Sequence, residues 1–333
     1  MAGTPLQSVI IPTFNRKDML AETISSVLAQ SQASLEVIVV DDVSTDGTED
    51  YVRSIPDEPV RYFRNEHNSG PEMSRKFGLS QARGRYITFI DDDDYYTDRE
   101  FFADALKIFA DSEKPLAFVC ADGEILETET GRITPHSPGK LGRLSGVEFA
   151  LKHDREYLKP TSLFPAVFDG EIMRHCLPDD MMIFDTETYI WMALHGDVHI
   201  MPGIVGVYRK HPDSNTLGRS RLSEWMKRRM ENLAERVRTD NAILGKLSSL
   251  SNAKSAKRSY LRLLELHMRQ FTGHKEGVAY RMRVHFTILK ASGYMPEVLV
   301  RMPYFMLKFE LRRAGFLRRM YYALTGRGGM PGE

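Results

Sequence analysis

Cysteine is nearly absent from this chain. Cys120 and Cys176 are the two thiols among 333 residues. Two cysteines supply no disulfide framework and no zinc-ligand spacing, so the expected setting is a reducing cytoplasm. Long apolar runs are also missing. No uncharged stretch approaches the roughly 20 residues that span a bilayer. The opening "MAGTPLQSVIIPTF" lacks the basic region and long apolar core of a secretory leader. Nor does the chain have net charge, since 45 Lys and Arg face 45 Asp and Glu. Internal repeats and low-complexity tracts are lacking too. What remains, 42% hydrophobic and 27% charged residues, is an ordinary globular composition.

The zero net charge conceals a division. Residues 221–333 hold 23 Lys and Arg against 9 Asp and Glu, whereas residues 1–220 hold 22 against 36. An acidic front part is followed by a basic rear part, and the two are expected to serve different ends. No nucleic-acid-binding motif accompanies the rear charge, so nucleic acid is not an expected partner.

The front part alternates strand and helix signals. "SVIIP" (8–12), "LEVIVVDD" (35–42), "VRYFRN" (60–65), "RYITFI" (85–90) and "LAFVCAD" (116–122) read as strands. The second is apolar without alternation, as in a parallel strand covered on both faces. Helical spacing runs over 16–30, where Leu20, Ile24, Val27 and Leu28 share a face, and recurs over 44–55, 70–84 and 98–112. Ser44 or Thr45 is the expected cap of the second helix, and Gly84 the expected end of the third. This order predicts an α/β, Rossmann-like, doubly wound, mostly parallel sheet. Ligands in such sheets bind beyond the carboxyl ends of the strands. "PTFNR", "DDVSTDGT" and "DDDD" all sit there. Segment 134–146 reads as a loop, Asp185 to about Leu194 as a helix, 198–208 as strand, and everything past about 220 as helical.

The four aspartates Asp91 to Asp94 raise the sharpest chemical question. Adjacent carboxylates repel unless a cation or proton offsets them. Mg²⁺ and Mn²⁺ take oxygen ligands, often one or two carboxylates plus substrate phosphates. A solvated acidic turn is the plainer alternative.

Four blocks carry a resemblance: "SVIIPTFNR", "LEVIVVDDVSTDGT", "NSGPEMSRKFGLSQARGRYITFIDDDD" and "FDTETYIWMALHGDVHIMPGIVGVYRKHPDSNT". In order and spacing they resemble the family 2 glycosyltransferases of GT-A fold, over roughly residues 6–217. The resemblance implies a catalytic domain over 1–218 and a separate helical, basic region over 219–333. It implies inverting transfer from a nucleoside-diphosphate sugar, a UDP-sugar by preference, to a hydroxyl of a saccharide or lipid-linked acceptor in bacterial surface polysaccharide synthesis. A divalent metal, Mn²⁺ or Mg²⁺, is the implied cofactor.

Residue by residue, the resemblance assigns Pro12, Thr13, Phe14, Asn15 and Arg16 to the nucleotide loop, with the Phe14 ring as stacking surface. Asp42 matches the acid that meets the uracil, and Arg75 an arginine near diphosphate or ribose. Asp93 is the first metal ligand, and Asp91 serves ribose or a metal-bound water. Asp92 and Asp94 can substitute, because a run of four leaves the register open by one. Glu187 aligns with the catalytic base when Trp191 fixes the register, and Asp185 is the rival; either can accept a hydroxyl proton. Asp185 as a helix cap is the structural alternative. Arg209 and His211 match a loop over the diphosphate, where His211 is a further metal candidate. A non-catalytic nucleotide- or carbohydrate-binding subunit remains the alternative function. A nucleotidyltransferase would want a glycine-rich phosphate loop, and "PTFNR" has none.

In the rear part, Phe305, Phe309, Phe316 and Met320 form a stripe edged by Lys308, Arg312, Arg313 and Arg319. That pattern suits a helix lying in a membrane interface. It equally suits packing on the protein itself or a homo-oligomer contact.

Overall fold

The computed structural model describes residues 6–212, apart from 33, 56–58, 153–156, 177–182 and 184. The expected helical region over 219–333, its membrane-facing stripe and any oligomer contact lie outside the described residues.

Ten strands form one mixed sheet. β1 (Gln7–Thr13), β2 (Leu35–Asp41), β3 (Val60–Arg64) and β4 (Tyr86–Phe89) lie in the order β3-β2-β1-β4 and are all parallel. The sheet continues through β9 (Ala166–Asp169), β6 (Leu116–Glu127), β10 (Asp197–Lys210) and the two-residue β5 (Tyr95–Tyr96). β9 runs antiparallel to β4 and to β6, while β10 runs parallel to β6. β7 (Arg132–His136) pairs with β6, and β8 (Gly142–Leu144) with β10. Segment 134–146 is thus partly strand rather than loop. β7 is an exposed edge strand with no buried face, so no alternation marks it in the sequence.

β1, β2 and β4 are buried on both sides. Val9, Ile11, Val37 and Val39 point into a core with Leu20, Ile24 and Val27 of α1 (Lys17–Leu28) and Phe101, Phe102 and Ala105 of α4 (Phe101–Asp111). α2 (Thr48–Ser54) adds Val52 to that side. The opposite face takes α3 (Pro71–Gln81), whose Gly78 lies against Ile10 and Val40. It also takes Tyr189 of α7 (Asp185–His195) against Phe118 and Phe168. Short helices α5 (Gly146–Lys152) and α6 (Gly170–Cys176) accompany α7.

Two expected helix ends move. Ser44 and Thr45 do not cap α2; the Asp46 carboxylate accepts from Thr48 N at 3.1 Å and Thr48 Oγ1 at 2.6 Å. α3 ends at Gln81 rather than Gly84. Gly84 instead lets the chain pass against β1, where a Cβ would stand 2.6 Å from the Ser8 nitrogen.

The order of strands creates a crevice. From β1 the chain crosses to β2 on one side and reaches β4 on the other, a topological switch point where α/β sheets bind ligands. β4 leaves β1 after Phe89, opposite Ile10. Pro12 lies beyond that departure and remains paired to β2 at Val40, so its missing N–H costs no bond to β4.

Gly78 fixes how closely α3 lies on the sheet. A Cβ there would fall 2.4 Å from the Ile10 side chain and 3.3 Å from that of Val40. Gly78→Ala is expected to cost about 1–3 kcal/mol through overpacking. The check is denaturant unfolding, with a lower midpoint at unchanged slope; an unchanged midpoint would contradict this packing.

Candidate active site

Each of the four aspartates at the end of β4 has a different set of partners. Asp92 turns across the switch point to β1. It accepts from Thr13 Oγ1 at 2.8 Å, Phe14 N at 3.2 Å and Arg16 Nη1 at 2.9 Å. The same Arg16 nitrogen donates to Asp93 Oδ2 at 2.8 Å. His211 Nε2 lies 3.0 Å from that Asp93 oxygen. Arg75 donates to Asp91, and its other terminal nitrogen bonds the Ile183 carbonyl at 3.2 Å. Asp94 turns inward, accepting from the Arg209 backbone N–H at 3.0 Å and Ser162 Oγ at 3.3 Å.

The backbone of this turn is held from α1. Thr23 Oγ1 donates to the Asp94 carbonyl at 2.6 Å and lies 3.1 Å from that of Asp92. Thr23 escaped the sequence reading. Its signal is a hydroxyl inside the apolar stripe of Leu20, Ile24 and Val27, where a buried polar group must find a partner. Ser162 and Lys159 were missed as well, and no periodicity in 134–184 marks them.

Asp42 acts at the next strand end. It accepts from Asn65 Nδ2 at 2.8 Å, Ser69 N at 2.9 Å and Gly70 N at 2.8 Å. Asn65 also donates to Ser74 on α3 at 2.9 Å. Asp42 thereby sets the entry of α3, which begins at Pro71 after Gly70 at φ 85°. α3 carries Arg75 to Asp91. Three of the roughly four lone-pair positions of the Asp42 carboxylate are used within the chain.

The loop after β1 has an open outer side. Phe14 is 46% exposed, unusual for a phenylalanine and suited to a stacking surface. Asn15 stands at φ 52°, a conformation asparagine tolerates, and its side-chain oxygen accepts from Thr45 N at 2.7 Å. Arg209 contributes its backbone to Asp94, but its guanidinium pairs with Glu22 at 2.5 Å and lies over the Tyr95 ring at 4.5 Å.

Asp185 is the first residue of α7, half-buried, with Lys159 Nζ 3.6 Å from its carboxylate. It is close enough to Asp91 and Arg75 to act on the charge of both. Glu187 lies on the same helix, and its side chain is outside the described residues.

Charge accounts for the state of these groups. Burial, with Asp93 and Asp185 adding repulsion, raises the Asp91 carboxyl despite the opposing Arg75. Burial raises Asp92 to about 7 against the pull of Arg16. Burial, then Asp93 and Asp91, raises Asp94 far above the carboxylate range. Arg16 and Arg75 are desolvated too, yet the neighbouring aspartates more than offset this and raise both. The cluster is short of positive charge.

A hard divalent cation fits that deficit. Asp91, Asp93 and Asp94 each offer a carboxylate oxygen, all within 4.8 Å of one another. Oxygen donors of this kind suit Mg²⁺ and Mn²⁺. Asp92 binds a proton more tightly when folded than when unfolded, where its value is near 3.9. Stability is therefore lost as pH rises from about 4 through about 7. A cation competes with the protons that burial likewise favours on Asp91 and Asp94, so its protection grows as pH rises. Added Mn²⁺ is expected to raise the melting temperature more at pH 8 than at pH 5. Equal shifts at both values would contradict a metal site here.

Comparison with known proteins agrees with this arrangement. The family model described as "Glycosyl transferase family 2" matches residues 8–164. A Campylobacter jejuni protein, GalNAc(5)-diNAcBac-PP-undecaprenol beta-1,3-glucosyltransferase, is 30% identical over 231 residues, 65% of this chain and 69% of its own length. An Escherichia coli protein, UDP-Glc:alpha-D-GlcNAc-diphosphoundecaprenol beta-1,3-glucosyltransferase WfaP, is 40% identical over 91 residues, 27% of this chain and 36% of its own length. Among solved structures, residues 1–349 of S. aureus TarS in complex with UDP-GlcNAc superpose with a TM-score of 0.65 at 18% identity. That match covers 86% of this chain and 81% of the other, and it supports the GT-A fold. By these matches, this chain belongs to the family 2 glycosyltransferases.

Proposed function

We propose that this protein is an inverting, metal-dependent glycosyltransferase. It moves a sugar from a UDP-sugar to a hydroxyl of a saccharide or lipid-linked acceptor, in the synthesis of a bacterial surface polysaccharide. The observation that carries this reading is the cluster Asp91, Asp93 and Asp94 at the switch point, beside the exposed Phe14. A further carboxylate at the head of α7, near this cluster, favours catalysis over a binding subunit. The acceptor class follows the two relatives, both named for undecaprenol-linked acceptors.

Each part of the site has a task in this reading. Phe14 stacks on the base while Thr13 and Asn15 shape the loop around it. Asp42 meets the uracil with its remaining acceptor position. Asp93 and Asp91 would hold the metal, with His211 at hand beside Asp93. A divalent ion there would supply Lewis-acid stabilisation of the diphosphate as it leaves. Arg16, Arg75 and Arg209 surround the same charge, and Arg209 would exchange Glu22 for it. The acceptor hydroxyl gives its proton to a carboxylate while it attacks the anomeric carbon from the face opposite the diphosphate. We assign that base to Asp185, supported by its position near Asp91 and Arg75. Glu187, which the resemblance aligns with the base, is the competing assignment.

No helix among the described residues is long and apolar enough to cross a membrane. Reaching a lipid-linked acceptor falls, in this reading, to the basic region 219–333, with the stripe Phe305 to Met320 laid on the membrane surface.

Asp93→Asn should abolish Mn²⁺-dependent binding of UDP while the fold persists. An unchanged calorimetric titration would contradict the metal assignment. For the base, Asp185→Asn should cut turnover by roughly 10²-fold or more and leave UDP affinity within a few-fold. Glu187→Gln should lose little. The reverse pattern moves the base to Glu187.

A further inference from the structure

We propose that Lys159 is a positioning residue for glycosyl transfer, holding the Asp185 carboxylate against the strand-end aspartates. The inference rests on the assignment of Asp185 as base and extends it to a segment with no motif of its own.

Asp185 needs such a partner. It stands near the acidic cluster, where Asp91 repels it. Arg75 is close, but that guanidinium is committed to Asp91 and to the Ile183 carbonyl. Asp185 forms an ion pair with Lys159, at 3.6 Å. The two side chains are 28% and 33% exposed, so solvent screens the pair only in part.

The ammonium is itself fixed. Lys159 Nζ donates to the Pro160 carbonyl at 3.2 Å and the Thr161 carbonyl at 3.0 Å. At 3.6 Å its contact with Asp185 is an ion pair rather than a hydrogen bond. A lysine on a free surface would sample many rotamers, whereas this one is curled onto its own backbone.

The backbone is fixed in turn, at both ends of the site. His136 Nε2 lies 2.7 Å from the Lys159 carbonyl. Ser162 Oγ donates to Asp94 Oδ2 at 3.3 Å, linking the segment to the aspartate cluster. Tyr189 OH donates to the Ser162 carbonyl at 2.9 Å, linking it to α7 one turn beyond Asp185. Tyr96 OH holds the Phe164 carbonyl at 2.8 Å. The strap 159–164 therefore ties the aspartates of β4 to the head of α7. Lys159 is the point at which it touches the carboxylate. Holding a reacting group within fractions of an ångström is what such a second partner contributes, and loss of it typically costs 10-fold to 100-fold.

The test is a cycle of Lys159→Met and Lys159→Arg, each alone and with Asp185→Asn, in the full chain. Turnover and Mn²⁺-dependent UDP affinity are both read. Lys159→Met should lower kcat by about 10-fold or more with UDP affinity and melting temperature near those of the parent. Lys159→Arg should recover most of that loss, since it restores the cation. In the Asp185→Asn background Lys159→Met should have little further effect, because the two act as one unit. Full turnover in Lys159→Met, or an equal loss in both backgrounds, overturns the proposal while leaving Asp185 as base. Full turnover in Asp185→Asn overturns the base assignment and Lys159 with it, a pattern distinct from the other two.

Discussion

Burying negative charge is the constraint around which this molecule is arranged. Asp92, Asp93 and Asp94 are less than a tenth exposed, and Asp91 adjoins them. A buried carboxylate without compensation is costly, and four together compound the cost. The described neighbourhood answers with hydrogen bonds from Thr13, Phe14, Ser162 and Arg209, and with two arginines. The compensation is incomplete, which is why Asp91, Asp92 and Asp94 hold protons more tightly than free aspartates. In the proposed reaction a divalent metal at these aspartates would supply the missing positive charge.

The fold delivers these groups from distant parts of the sequence by a short chain of causes. β4 departs from β1 after Phe89, which opens space for the aspartate turn. Thr23 of α1 fixes the turn's backbone. Asp42 holds Ser69 and Gly70, which sets the start of α3 and hence Arg75. Gly78 allows α3 to lie close enough for that arginine to reach Asp91. Disturbing any one of these alters the charge balance of the aspartates without touching them. One tension is local: Val43, beside Asp42, stands at φ 73°, where a β-branched residue is strained. Strain of this kind tends to collect at functional sites.

The parallel half of the sheet was legible because β1, β2 and β4 are buried on both faces and announce themselves as apolar runs. "LEVIVVDD" is β2 with its boundary displaced by one residue. The antiparallel elements were not legible for two reasons. β9 is four residues long and gives no period, while β7 is exposed along nearly its whole length. At the site, the types and strand-end positions of Thr13, Asp42, Arg75 and the four aspartates could be read. Their partners could not, since Asn65 on Asp42, Thr23 under the turn and Lys159 on Asp185 depend on tertiary approach. The division of tasks within "DDDD" was likewise open until each carboxylate had its own neighbours.

Locating the ion tests the central claim most directly. Crystals grown with Mn²⁺ and UDP, measured for the anomalous signal of manganese, show where the metal binds. The account predicts a single strong peak at the strand-end aspartates, beside Asp93 and Asp91, with Arg16 released from Asp93. A diphosphate bound with no manganese at the strand-end aspartates, or manganese bound elsewhere, would contradict it.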